Sequence, residues 1–393
     1  MKILHTGDWH IGKLVHGVHL TEDQKHMLNE LIELIKREKP DVMLVSGDIY
    51  DRSVPPIQAV DLLDEILTEI VVHHKVKIIA IAGNHDSPDR VGFASKILRD
   101  NGLFITGHIE KDIVPITLED EYGPVDFYPI PYAEPAVVRE IYGDEFIKSH
   151  DEAMKAVLEG ISKKRNANNQ NANTRSVCVA HAYLTGTESL ETSESVRPLS
   201  IGGSEFVDVS YFEKFDYVAL GHLHRPQKVK HNHIRYAGSL MKYSFSEALQ
   251  RKSVAMVELN KDGSIEVELH ELTPIRDMRV IKGHLENLVD VGVYGETNVE
   301  DYIMAVLTDE GELIDPINSL RAIYPNILKL EKESSERQTG DDQTSASADF
   351  KQKNPLELFE EFYENISGDV FVEEKSDIVA KVINDIKQKV RNS

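Results

Sequence analysis

Residues 42–51 read Val-Met-Leu-Val-Ser-Gly-Asp-Ile-Tyr-Asp, and residues 76–86 read Val-Lys-Ile-Ile-Ala-Ile-Ala-Gly-Asn-His-Asp. Each is an apolar run of strand length, broken by a glycine and then by carboxylate, imidazole or carboxamide side chains. The chain opens the same way, with Lys2 to Thr6 followed by Gly7, Asp8, Trp9 and His10. Between this opening run and residues 42–51, Thr21 to Lys39 places Leu28, Leu31, Ile32 and Ile35 on one helical face. Thr21 and Gln24 have capping-box spacing there, and Pro40 ends the helix. Residues Ile57 to Val72 predict a second helix, so the opening is βαβαβ and the fold class is α/β. Further strands are predicted at Val177 to Ala182, Tyr217 to Leu220, Ile234 to Ala237, Val254 to Leu259 and Ile265 to His270. The last two flank the hairpin turn Asn260-Lys261-Asp262-Gly263.

Composition bounds what such a chain does. Its 393 residues are 41% hydrophobic, enough for sizeable cores in two to three domains and against wholesale disorder. The 44 Lys and Arg against 67 Asp and Glu leave a formal charge of −23, which argues against a simple polycation that coats nucleic acid. The single cysteine, Cys178, excludes an internal disulfide. The N-terminus has no signal-peptide pattern, and no run approaches the roughly 18 apolar residues of a membrane helix. A reducing, cytoplasmic setting without membrane is expected.

Five polar clusters follow directly after strands: Asp8-Trp9-His10, Gly47-Asp48-Ile49-Tyr50-Asp51, Gly83-Asn84-His85-Asp86, His181, and Gly221-His222-Leu223-His224. Ligands bind at the carboxyl ends of strands in open α/β sheets. One such cluster alone commonly marks a turn, and a lone histidine at a strand end is usually a hydrogen-bonded structural residue. Five in series predict a metal centre. Carboxylates, imidazoles and a carboxamide without thiolate suit Mn²⁺, with Mg²⁺ the other candidate, and disfavour structural zinc. Two ions roughly 3.5–4 Å apart need a shared carboxylate, for which Asp48 is the natural bridge. His73 and His74 at a helix end, and His231 and His233 in a polar turn, are left aside.

The order Asp-x-His, Gly-Asp-x-x-Asp, Gly-Asn-His-Asp, His, Gly-His-x-His resembles the calcineurin-like metallophosphoesterase signature over residues 1 to about 270. The segments MKILHTGDWHIGK, VSGDIYDR, IAGNHDSPDR and VALGHLHRPQ resemble more closely the nuclease subunits of bacterial DNA-repair complexes, and this resemblance covers the whole chain. It implies a metallophosphoesterase β-sandwich flanked by helices (1–275), a small α/β capping domain (276–330), a flexible linker (331–354) and a helical pair (355–393) that binds a coiled-coil ATPase subunit. It also implies that Asp8, His10, Asp48 and His224 hold one metal and Asp48, Asn84, His181 and His222 the other. His85 then faces the substrate phosphate and leaving group. Asp51 is expected to hydrogen-bond His85 and hold its protonated form, with a loop cap as the alternative. A homodimer through the early helices, within a heterotetramer, belongs to the same implication.

Substrate class has to come from elsewhere, since the metal site suits phosphodiesters and phosphomonoesters alike. From His222 to Lys252 there are seven Lys and Arg and one acid, Glu247, a local charge of +6. Arg225, Lys228, Lys230 and Lys242 in this run, with Arg52 and Arg90 beside two motifs, are candidate contacts to DNA phosphates. A solvated loop and structural ion pairs are the bland alternatives. Residues 166–173 (NANNQNAN) read as a polar surface insertion. Gly283 to Ser319 carries nine acids and no Lys or Arg, and Glu331 to Asn354 has linker composition. Leu356, Phe359, Phe362 and Tyr363 form one apolar stripe, and Ile378, Val379, Val382, Ile383 and Ile386 another. These either fold back or dock on a partner. A nuclease subunit, acting as double-strand exonuclease and single-strand or hairpin endonuclease with an ATPase in DNA repair and recombination, explains the basic run, the linker and the apolar stripes together. A stand-alone enzyme on small phosphodiesters leaves the tail without a use, and a catalytically dead DNA-end scaffold conflicts with the intact ligand set.

Overall fold

The structure, a computed structural model, describes residues 1–167, 174–186, 190–196, 199, 205–311 and 313–333, with Ser376, Val379 and Lys381. The chain divides into two units, Met1–Lys332 and Glu333–Ser393, and the architecture that follows is that of the first. Nearly all of the expected linker and the helical segment 355–393 lie outside the described residues, as do residues 168–173 of the polar insertion.

Two six-stranded sheets stack face to face. The first runs Ile265–Glu271, Ser253–Leu259, Lys2–Thr6, Val42–Val45, Lys77–Ile81, Leu103–Thr106; its last four strands are parallel and its first two antiparallel. The second runs Gln227–Val229, His231–Tyr236, Tyr217–Gly221, Arg175–His181, Gly123–Ile130, Ile116–Asp120, with four parallel strands in the middle and an antiparallel strand at each edge. The period-2 alternation of each strand splits its side chains between two cores. Ile3, Val42, Leu44, Ile79 and Ile81 of the first sheet meet Val125, Phe127, Val177, Val179 and Tyr217 of the second in the inter-sheet core. Leu4, Met43, Val45 and Ile78 point the other way, onto Leu28, Leu31, Ile35, Leu62 and Ile66 of helices Thr21–Glu38 and Ile57–Thr68. Burial on both faces is why these strands read as unbroken apolar runs.

A three-stranded parallel sheet, Met278–Gly283, Tyr302–Leu307 and Ile327–Lys332, has its own core of Leu288, Ile303, Leu320 and Tyr324. It lies within the same unit as the sandwich. Arg276 grips the buried Asp23 carboxylate through Nε and Nη2 at 2.9 and 2.8 Å, and Tyr302 donates its hydroxyl to the same carboxylate at 2.8 Å. Part of the acidity of this stretch serves the backbone. Asp309 accepts the Leu285 amide, and Asp301 accepts the Asp277 amide while also pairing with Arg279.

The opening βαβαβ and the hairpin around Asn260–Gly263 are where the sequence places them. Three local expectations differ. The strands Leu103–Thr106, Ile116–Asp120 and Gly123–Ile130 are additional to those predicted. His231 and His233 sit on an edge strand with stacked rings rather than in a turn. Helix Thr21–Glu38 has no side-chain cap, because its N-cap position falls on Leu20 rather than Thr21, and the Gln24 amide is used elsewhere. No helix among the described residues is long and apolar enough to cross a membrane.

Candidate metal centre

All five clusters converge at one end of the sandwich, because each follows a strand from the parallel part of its sheet, and parallel strands end on the same side. Asp8 and His10 follow Lys2–Thr6, Asp48 follows Val42–Val45, and Asn84 and His85 follow Lys77–Ile81; His181 ends Arg175–His181, and His222 and His224 follow Tyr217–Gly221. The loops turn at once, and Asp8, His10 and Asp48 take left-handed φ angles of 50°, 45° and 48°, while His222 has φ 110°. Non-glycine residues rarely hold such conformations, each at a cost on the order of 1–3 kcal/mol, and they persist where the surroundings over-determine them. The glycines here make room. A Cβ on Gly83 would overlap Asp48 Oδ1, and one on Gly221 would overlap the Ser46 carbonyl.

The hydrogen-bond pattern fixes how the imidazoles point. His181 Nδ1 lies 2.9 Å from the Ser46 carbonyl, which only accepts, so Nδ1 carries the proton. The Nε2 lone pair then faces two more acceptors, Asn84 Oδ1 at 2.9 Å and Asp48 Oδ2 at 3.5 Å. His224 Nδ1 faces the Glu247 carboxylate at 3.2 Å, which leaves its Nε2 lone pair 3.0 Å from His10 Nε2. His10 Nε2 is also 3.7 Å from Asp48 Oδ2. His222 donates its amide to both Asp8 oxygens, at 2.9 and 3.1 Å, while its buried Nε2 has no hydrogen-bond partner among the described residues, and neither has His10 Nδ1. Acceptors that face acceptors, with orphaned buried nitrogens beside them, fit a centre built for cations.

Among the described residues, three groups of ligand atoms stand close enough to share an ion: Asp8, His10 and His224; Asp8, Asp48 and His181; and His10, Asp51 and His85. The electrostatics agree. Burial, and then the charge of Asp48, push the Asp8 carboxyl well above the usual carboxylate range. Burial lowers His10 and His222 strongly, reinforced for His10 by His224 and Lys13 and for His222 by His181 and His224. Neutral imidazoles with free lone pairs are the form that ligates, and crowded carboxylates are relieved by a divalent cation.

His85 donates Nδ1–H to a carbonyl, and that carbonyl belongs to Asp51, at 2.8 Å. The expectation that the Asp51 carboxylate holds His85 is therefore corrected. Lys13 Nζ draws that carboxylate to 2.8 Å, and Asp51 Oδ1 stands 3.7 Å from His10 Nδ1 instead. The carbonyl still fixes the tautomer and leaves Nε2 as the free atom of His85. Its own amide donates to Asp48 Oδ1 at 2.9 Å, and its ring packs edge-on against His10 at 4.7 Å.

The candidate phosphate contacts fare differently. Arg52 and Arg90 are exposed beside the motifs, and Lys228 is exposed without an ion pair among the described residues. Arg225 pairs with Glu191 and Lys230 with Glu213. Lys242 is turned inward, onto Asp277 at 2.9 Å and the Ala248 carbonyl at 2.7 Å, which removes it from a phosphate track. Sequence reasoning missed the supports of the centre. Asp86 accepts the amides of Ile49, Tyr50 and Gly83 and ties two loops together; burial and then Asp48 push its carboxyl up to about 7. Gln24, Ser195, Glu247 and Lys252 are the others, and only the solitary acid in a basic run hinted at Glu247.

Comparison with known proteins agrees with this geometry. Residues 1–226 match the calcineurin-like phosphoesterase family, and residues 274–366 match the type 5 capsule protein repressor C-terminal domain. The SbcD subunit of nuclease SbcCD from Staphylococcus epidermidis is 32% identical over 384 residues, 98% of each chain. Among solved structures, TT1561 of Thermus thermophilus aligns with a TM-score of 0.40 at 12% identity, covering 68% of this chain and 98% of its own. A dimetal phosphatase from Danio rerio aligns at 0.43 and 11% identity, covering 69% and 96%. The chain belongs to the calcineurin-like phosphoesterases, a family of metal-dependent enzymes, and within it to the SbcD family of nuclease subunits.

Proposed function

We propose that the chain is the nuclease subunit of a two-component DNA-processing machine, hydrolysing phosphodiesters at DNA ends with two Mn²⁺ and an SbcC-type coiled-coil ATPase. The observation that carries the chemistry is the convergence of Asp8, His10, Asp48, Asn84, His181, His222 and His224 on one centre, with Asp48 within 4 Å of a histidine on either side. Full-length similarity to a nuclease subunit carries the substrate. Asp8, His10, Asp48 and His224 hold one cation in this reading, and Asp48, Asn84, His181 and His222 the other. Such ions activate water for attack and polarise the phosphoryl oxygens. The chain's own part is positional. Asp48 shares its carboxylate between the two sets, the loops hold the ligands in strained conformations ahead of binding, and His85 offers Nε2 to the departing sugar oxygen.

Residues 355–393 are the proposed contact to the ATPase, a homodimer within a heterotetramer is the proposed assembly, and the cytoplasmic nucleoid the proposed setting. The test is a Mn²⁺-dependent assay on linear duplex DNA and on a small phosphodiester, with and without the ATPase. DNA cleavage that His85→Ala abolishes while metal is retained is the expected result. Turnover of the small ester alone, with DNA intact even beside the ATPase, overturns the nuclease reading.

A further inference from the structure

Behind His224 stands an ion pair that the chemistry above does not use. Glu247 is fully buried, and Lys252 is 6% exposed. Their charged ends meet at 2.6 Å. The pair clasps His224 from two sides. Glu247 Oε1 receives the ring Nδ1 at 3.2 Å, and Lys252 Nζ donates to the His224 backbone carbonyl at 2.7 Å. Glu247 is a junction for other donors as well. It accepts the hydroxyl of Ser193 at 3.0 Å, that of Ser195, and the Tyr243 amide at 3.3 Å. Ser195 Oγ also lies 2.7 Å from His224 Nδ1.

A buried ion pair rarely stabilises a fold relative to apolar residues of the same size, because both charges must leave water. A carboxylate behind a ligating histidine has a different use. It fixes the tautomer, aims the ring and raises its basicity toward a metal. We infer that Glu247 and Lys252 are positioning residues for His224, presenting Nε2 to a divalent cation, and that the Ser193–Ser195 loop docks on the same carboxylate and so shares its orientation with the centre. This rests on the reading of His224 as a ligand.

The experiment is Mn²⁺ titration of the full-length protein by calorimetry, with metal-free melting measured alongside. Glu247→Gln keeps the shape but weakens the acceptor, and Glu247→Leu with Lys252→Met replaces the pair by apolar side chains that hold the packing. A purely structural pair predicts that the double variant, held well below its own melting temperature, binds both Mn²⁺ as the wild type does, and that result overturns the inference. The positioning role predicts that the folded double variant binds one of two Mn²⁺ roughly 10- to 100-fold more weakly and the other as the wild type does, whatever stability the stranded Tyr243 amide costs it. Glu247→Gln should show the same site-selective loss, and its binding both ions at wild-type affinity would count against the role. His224→Ala separates the two layers. If it leaves Mn²⁺ binding intact, the ligand reading itself fails; if it abolishes one site while the double variant does not weaken it, only the positioning role fails.

Discussion

Replacing Gln24 with leucine is expected to destabilise the metal-free protein by about 3–4 kcal/mol, although Gln24 ligates nothing. Its side chain is 1% exposed and carries four contacts. Oε1 accepts the Gly12 amide at 2.9 Å, and Nε2 reaches the Trp9 and His10 carbonyls at 3.1 and 2.7 Å and the Tyr243 hydroxyl at 3.2 Å. These contacts are not equivalent. The His10 carbonyl keeps the Lys13 amide at 3.0 Å, and the Trp9 carbonyl keeps the Tyr243 hydroxyl, so each loses one of two donors. Only the buried Gly12 amide is stranded. An orphaned amide costs about 1–3 kcal/mol and each lost net hydrogen bond about 1, from which the better burial of leucine subtracts a little. In a unit of this size each kcal/mol moves the melting temperature by roughly 2 °C, so a drop of about 6–8 °C is expected. Because the same loop holds Asp8 and His10 at left-handed φ, Mn²⁺ affinity measured by calorimetry should fall with it. A Gln24→Leu protein that melts within about 1–2 °C of the wild type and binds metal normally refutes the view that this amide braces the ligand loop.

Asp51→Ala should act as a metal-affinity variant and leave His85 in place, since the atom that His85 uses is the backbone carbonyl. Weaker Mn²⁺ binding with turnover recovered at saturating metal is expected; a loss of turnover at saturation as deep as that of His85→Ala would return the carboxylate to His85. Asp120 supplies a pH test away from the centre. Burial alone would raise its carboxyl, but hydrogen bonds from Arg175 and the N-terminal ammonium outweigh it and hold the group well below the usual carboxylate range. A depressed folded pKa means stability that is present above the unfolded value of about 4 and lost as pH falls through the folded one. Asp120→Asn should therefore cost about 1–2 kcal/mol at pH 7 and progressively less below about pH 4 in denaturant titrations, and a pH-independent difference would contradict this.

What sequence spacing exposes is local, and the ligands are local: each stands at a strand end or a few residues past one, so strand reading alone assembles the centre. What braces the ligands is not local. Gln24 lies 14 residues from the His10 carbonyl, and Glu247 lies 23 from the ring of His224; only packing brings them together. Asp51 falls between the two cases, since its spacing is visible but Lys13 decides which of its atoms faces His85. The strands between Leu103 and Ile130 escape for another reason. Leu103–Thr106 is a half-exposed edge, and Asp126 and Pro129 interrupt the apolar run of Gly123–Ile130. Charge shows the limit most clearly. The basic run 222–252 sums to +6 along the chain, yet Arg225, Lys230, Lys242 and Arg251 face Glu191, Glu213, Asp277 and Glu271 from outside the run. Those four acids bring +6 down to +2 in space. With so little net charge left, attraction of a polyanion to this face depends mainly on the cations bound at the centre, and a count along the chain overstates the lysine track.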